Sequence, residues 1–112
     1  MLTVEGLKAL GANTDEGISR CMGNEDFYLK MVTMSLGDAN FDRLRTSLEA
    51  GDLDEAFESA HALKGVLSNV SLTSLAAPVI EITEDLRART DKDYSEQMNA
   101  IFGELDRYRD LL

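Results

Sequence analysis

Apolar residues recur at three- and four-residue intervals along nearly the whole of this chain, and no segment alternates in the manner of a strand. That periodicity restricts the chain to an all-helical fold, and its interruptions mark the helices. A first short helix is expected over Thr3 to Leu10, ended by Gly11. A second runs from Thr14 or Asp15 to Met22, where Gly23 stops it. Asn24 reads as the N-cap of a third helix, with Phe27, Met31, Met34 and Leu36 turned inward. Gly37 ends that helix. Asp38 caps a fourth, whose inner face is Phe41, Leu44, Leu48 and the aliphatic stem of Arg45.

Gly51 closes the fourth helix and Asp52 opens a fifth, with Glu55 at N3 forming an aspartate version of the capping box. Leu53, Ala56, Phe57, Ala60, Leu63, Leu67 and Val70 then make one apolar stripe. After Ser71 a sixth helix carries Leu72, Leu75, Val79, Ile82 and Leu86; Pro78 either kinks it or marks its first turn. The last helix is expected from about Asp91, with Tyr94, Met98, Ile101, Leu105, Tyr108 and Leu112 inward. Long helices joined by short connections favour an antiparallel up-down-up-down four-helix bundle, with one or two short N-terminal helices capping one end. A length of 112 residues and an apolar fraction of 44% suit one packed domain spanning 1–112.

Several function classes fall away on charge and composition. The net charge is -10, and the scattered Arg87, Arg89 and Lys92 make no basic cluster, so nucleic acid and anionic membrane surfaces are not expected partners. No apolar run reaches the ~20 residues that a bilayer requires. The start Met1-Leu2-Thr3-Val4-Glu5 lacks the pattern of a signal peptide. One cysteine, Cys21, has no internal partner and reads as a small apolar filler in a reducing, cytoplasmic setting. Low aromatic content points to a monomer. Met1 and Leu112 read as the ends of a free-standing protein or of a piece cut from a hybrid kinase.

The chemistry is concentrated on the fifth helix. At roughly 100° per residue, its apolar stripe centres near roughly -40° from Leu53, whereas His61 falls near roughly +80°. The single histidine is therefore expected in solvent, at the edge of the stripe, with Lys64, Gly65 and Ser68 beside it at i+3, i+4 and i+7. Glycine inside a helix costs ~1 kcal/mol relative to alanine. At Gly65 that cost is understandable if another protein must approach the imidazole; tight packing against a neighbouring helix is the competing explanation. Lys64 can offset negative charge arriving at the ring. An unprotonated imidazole is a nucleophile that can hold a phosphoryl group as a phosphoramidate.

The run His61-Ala62-Leu63-Lys64-Gly65-Val66-Leu67-Ser68-Asn69-Val70 resembles the signature of histidine-containing phosphotransfer (HPt) domains, whose core is His-x-Leu-Lys-Gly. Gly51-Asp52-Leu53-Asp54-Glu55-Ala56 and Asn24-Glu25-Asp26-Phe27-Tyr28-Leu29 are similar too, and the likeness spans roughly residues 14 to 90. Val66 and Leu67 depart from the small residues frequent there, and Ser71 stands where glycine is frequent. The resemblance implies a phosphorelay intermediate, not an enzyme. His61 would take a phosphoryl group from a receiver-domain aspartate and pass it to another, with Lys64 as charge support and Gly65 as steric access. Phe57, Lys64, Gly65 and Ser68 would contact the partners, which are response-regulator receiver domains and a hybrid histidine kinase. No cofactor or metal is expected on this chain, magnesium being expected on the receiver. No Gly-rich nucleotide loop is present, so phosphorylation from ATP is not expected. The alternatives are an HPt-like docking module without transfer and a purely structural bundle. A di-iron reading rests only on Glu58 with His61, and a second Glu-x-x-His is missing.

Overall fold

The computed structural model describes residues 1–112. Seven helices follow one another: α1 (Val4–Ala9), α2 (Thr14–Arg20), α3 (Glu25–Leu36), α4 (Asn40–Glu49), α5 (Leu53–Asn69), α6 (Thr73–Arg87) and α7 (Ser95–Arg109). There is no strand. Four helices start as their sequences dictate: Thr3, Asn13, Asn24 and Asp52 each accept a bond from the third backbone N–H beyond them. For α4, Asp38 acts from one residue further out, its Oδ1 accepting from Asn40 N at 2.8 Å.

The helix ends are as informative. The last turn of α5 closes with Leu72 N–H on the Leu67 carbonyl and Ser71 N–H on the Ser68 carbonyl, both at 3.1 Å. This double bond pattern requires a left-handed residue between helix and exit, and Ser71 supplies it at φ 57°. Serine thus does here what glycine does at less cost, and α6 starts immediately afterwards at Thr73.

One continuous core fills the interior. Ala56, Ala60, Leu63, Leu67 and Val70 of the α5 region meet Phe41 and Leu44 from α4, Leu75, Val79, Ile82 and Leu86 from α6, and Ile101, Leu105 and Tyr108 from α7. Helix α5 packs chiefly on α4 and α6, α6 also packs on α7, and α3 touches α7. The N-terminal helices are tied to the α5–α6 junction by polar bonds. Asn13 N–H reaches the Ser71 carbonyl at 2.9 Å, the Tyr28 hydroxyl donates to the Val70 carbonyl at 2.9 Å, and Ser74 Oγ donates to the Leu10 carbonyl at 2.8 Å.

Four expectations need correction. The buried face of α3 is Tyr28, Val32, Ser35 and Leu36, while Phe27 and Met34 are 48% and 61% exposed and Met31 is half-buried. Tyr28 decides this phase, because its ring lies against the backbone of Gly17, where a Cβ would come within 2.3 Å of it. Helix α7 begins at Ser95, four positions later than expected, with Asp93 Oδ1 accepting from Ser95 N. Leu112 is 53% exposed, since the helix ends before it. Pro78 lies inside an unbroken α6 rather than at its first turn. Having no N–H, it leaves the Ser74 carbonyl without its helical donor.

Candidate functional site

Helix α5 turns Ala56, Ser59, Ala60, Leu63 and Leu67 into the core and leaves Asp54, Glu58, His61, Gly65, Ser68 and Asn69 exposed. Ser59 is fully buried, whereas Leu53 and Phe57 are only half-buried. The core direction therefore lies near roughly -70° from Leu53, and His61 points about 150° away from it. The histidine stands near the middle of the outward face, further from the apolar stripe than its sequence position suggested.

Its surroundings come from two helices. The imidazole stacks on the Phe57 ring one turn earlier, with centroids 5.6 Å apart and planes inclined by 20°. No protein hydrogen bond or ion pair occupies either ring nitrogen. One turn later, the Lys64 ammonium lies 3.9 Å from Glu84 Oε1 of α6. Glu84 Oε2 lies 3.4 Å from Arg87 Nε, and the Arg87 guanidinium sits 5.1 Å from the centroid of the Phe57 ring. Phe57 thus lies against both the imidazole and a cation.

Gly65 is exposed, and a Cβ built on it meets nothing within 4 Å. No neighbouring helix needs the missing side chain, so tight helix packing does not explain this glycine. Ser68 lies on the same face with an unengaged hydroxyl, while its carbonyl accepts from Arg20 Nη1 of α2 at 2.5 Å. All the residues picked out in the sequence (Phe57, His61, Lys64, Gly65 and Ser68) lie along this one side of α5. Glu84 and Arg87 were not singled out with them. Their i,i+3 pairing was visible, but its meeting with Lys64 and Phe57 depends on how α6 lies against α5. Nowhere are three His, Cys, Asp or Glu side chains gathered into a possible metal-ligand set. A cavity of about 580 Å³, lined among others by Arg45, Leu53, Tyr94 and Phe102, involves none of the His61 cluster.

These features define a class: a helical domain that holds one unencumbered histidine mid-helix, with bare backbone one turn beyond it and cations beside it. The family profile described as "Hpt domain" matches residues 32–111, and the chain belongs to that family. Domains of this family carry phosphoryl groups in two-component signalling, interact with receiver domains and kinases, and generally lack kinase activity of their own. No helix is long and apolar enough to cross a membrane. Neither the curated proteins nor the solved structures contain a match to this chain.

Proposed function

We propose that this chain is a phosphorelay intermediate in which His61 accepts a phosphoryl group from a receiver aspartate and delivers it to a second receiver. The observation that carries the reading is the accessible, unbonded imidazole beside the open flank of Gly65. One ring nitrogen attacks phosphorus in line, the P–N bond forms as the acyl phosphate P–O bond breaks, and the aspartate carboxylate leaves with the electron pair. The stack on Phe57 restrains an exposed ring whose nitrogens have no protein partner, which favours a near-attack geometry. Lys64 offsets charge on the incoming group. Phe57, Lys64, Gly65 and Ser68 form the contact surface for receivers and for a hybrid histidine kinase.

Magnesium belongs on the receiver in this scheme, and the chain acts as a cytoplasmic monomer. The connections 50–52, 70–72 and 88–94 are short, and each of α4, α5 and α6 packs on the helix that follows it, which supports the antiparallel up-down-up-down bundle. Incubation with a phosphorylated receiver domain tests the function. Acid-labile, alkali-stable label on wild type and none on His61→Gln is the expected result. Receiver binding without label on the wild type would instead identify a docking module.

A further inference from the structure

We infer that Glu84 is a built-in anion that competes with the phosphoryl group for the two cations flanking His61, and so sets how readily the histidine is charged and discharged. The inference rests on the phosphocarrier reading above and extends it to residues outside the signature. Lys64 and Arg87 come from different helices, and a single carboxylate touches both, at 3.9 Å and 3.4 Å. Phe57 links this trio to the reacting ring, since it stacks on the imidazole and lies under the Arg87 guanidinium. Lys64 is one helical turn from His61, and the Arg87 guanidinium lies 5.1 Å from the centroid of the ring on which the imidazole stacks, so each long side chain can swing towards a phosphoryl group on the histidine.

The resting pairs are made to be exchanged. The side chains of Lys64, Glu84 and Arg87 are 35%, 54% and 50% exposed, a setting in which ion pairs are weak and open readily. A phosphoryl group carries about two negative charges and three acceptor oxygens, against one charge on Glu84. When the P–N bond forms, Lys64 and Arg87 turn from Glu84 to the phosphoryl oxygens, and the carboxylate is released to water. When the phosphoryl leaves for the next aspartate, Glu84 recovers both cations. Without it the phosphorylated state would be held more tightly and charged more eagerly. Glu84 is a positioning residue in this scheme; it acts on the phosphoryl group only through Lys64 and Arg87.

The test needs no cognate receiver. Wild type, Glu84→Gln, Arg87→Ala and Lys64→Ala are phosphorylated with potassium phosphoramidate, and protonation of the phosphoryl oxygens is followed by phosphorus NMR. Glu84→Gln should lower that pKa by about half a unit, and each cation deletion should raise it, as expected for single charges several ångströms away. The Glu84→Gln effect should shrink in ~1 M salt, and this variant should take up label about threefold faster, a barrier change on the order of the same half unit. A purely structural role for Glu84 would move neither the phosphoryl pKa nor its salt dependence. An unmoved pKa in a labelled Glu84→Gln chain, or a shift in the same direction as Arg87→Ala, overturns the inference alone. A wild type that takes no label on His61 overturns the relay reading and this inference with it.

Discussion

Two glycines show opposite reasons for omitting a side chain. At Gly17 a Cβ would lie 2.3 Å from the Tyr28 ring, so the space is already filled from inside the protein. At Gly65 a Cβ would meet nothing, so the space is empty until something arrives from outside. Gly17→Ala should therefore destabilise the fold by about 1–3 kcal/mol through overpacking, measured by denaturant unfolding. Gly65→Gln should leave stability unchanged or raise it by up to ~1 kcal/mol, because glycine is a poor helix former. The same Gly65→Gln variant should slow phosphotransfer from a receiver at least about tenfold, a loss of ~1.4 kcal/mol in the barrier, which a stopped-time labelling assay would read. Unchanged transfer would mean that access to His61 does not pass over Gly65. Of these two positions only Gly65 was legible in the sequence, since its place relative to His61 follows from helical spacing alone. Gly17 matters through a tyrosine eleven positions away in another helix, and no local pattern reveals that.

At the scale of the element, helix boundaries followed their caps and helix phase followed tertiary contact. Asn24 caps α3 as its sequence indicates, yet the inward face is one residue out of step with the expected one. Leu36 is inward as expected, but Phe27, Met31 and Met34 and the competing Tyr28 and Val32 have similar apolar character at helical spacing, so periodicity cannot rank them. The ranking comes from the Tyr28 hydroxyl on the Val70 carbonyl and its ring on Gly17. The late start of α7 has a related cause: Tyr94 is buried by packing ahead of the helix, so its apolar character did not mark helical backbone. Helix ends also hold strain that sequence reading passed over. Met22 adopts φ 58° at the end of α2 while its side chain is 96% exposed, so nothing in packing offsets the left-handed backbone. Met22→Gly should stabilise the protein by about 1 kcal/mol, visible as a raised midpoint in urea. A lower midpoint would show that the side chain makes a contribution its exposure does not suggest.

For the molecule as a whole, the family match over 32–111 leaves α1, α2 and the start of α3 outside it. These helices are nevertheless part of the folded unit, because Leu7 and Tyr28 are fully buried in the common core. Tyr28 makes that attachment pH-sensitive. Burial, followed by the nearby Tyr108 and Cys21, pushes its phenol up to about 12, from an ordinary value near ~10. The folded state thus keeps this proton in a range where the unfolded chain has lost it. Stability from this group is complete below about pH 10 and declines as pH rises from ~10 towards 12. Tyr108 is pushed up by burial as well and adds to the same trend. Equilibrium unfolding between pH 9 and 12 should show that decline, and Tyr28→Phe should flatten it while costing about 1 kcal/mol at neutral pH for the lost bond to Val70. An undiminished slope in the variant would assign the alkaline loss to other groups.

Where the phosphoryl group sits after transfer decides whether His61 is the carrier. Phosphorus and nitrogen NMR on chain labelled with nitrogen-15 in its single histidine, after incubation with a phosphorylated receiver, addresses this directly. A one-bond coupling between phosphorus and a ring nitrogen of His61 is the predicted result. Phosphorus bound elsewhere, or a histidine spectrum unaltered while the receiver stays charged, would contradict it.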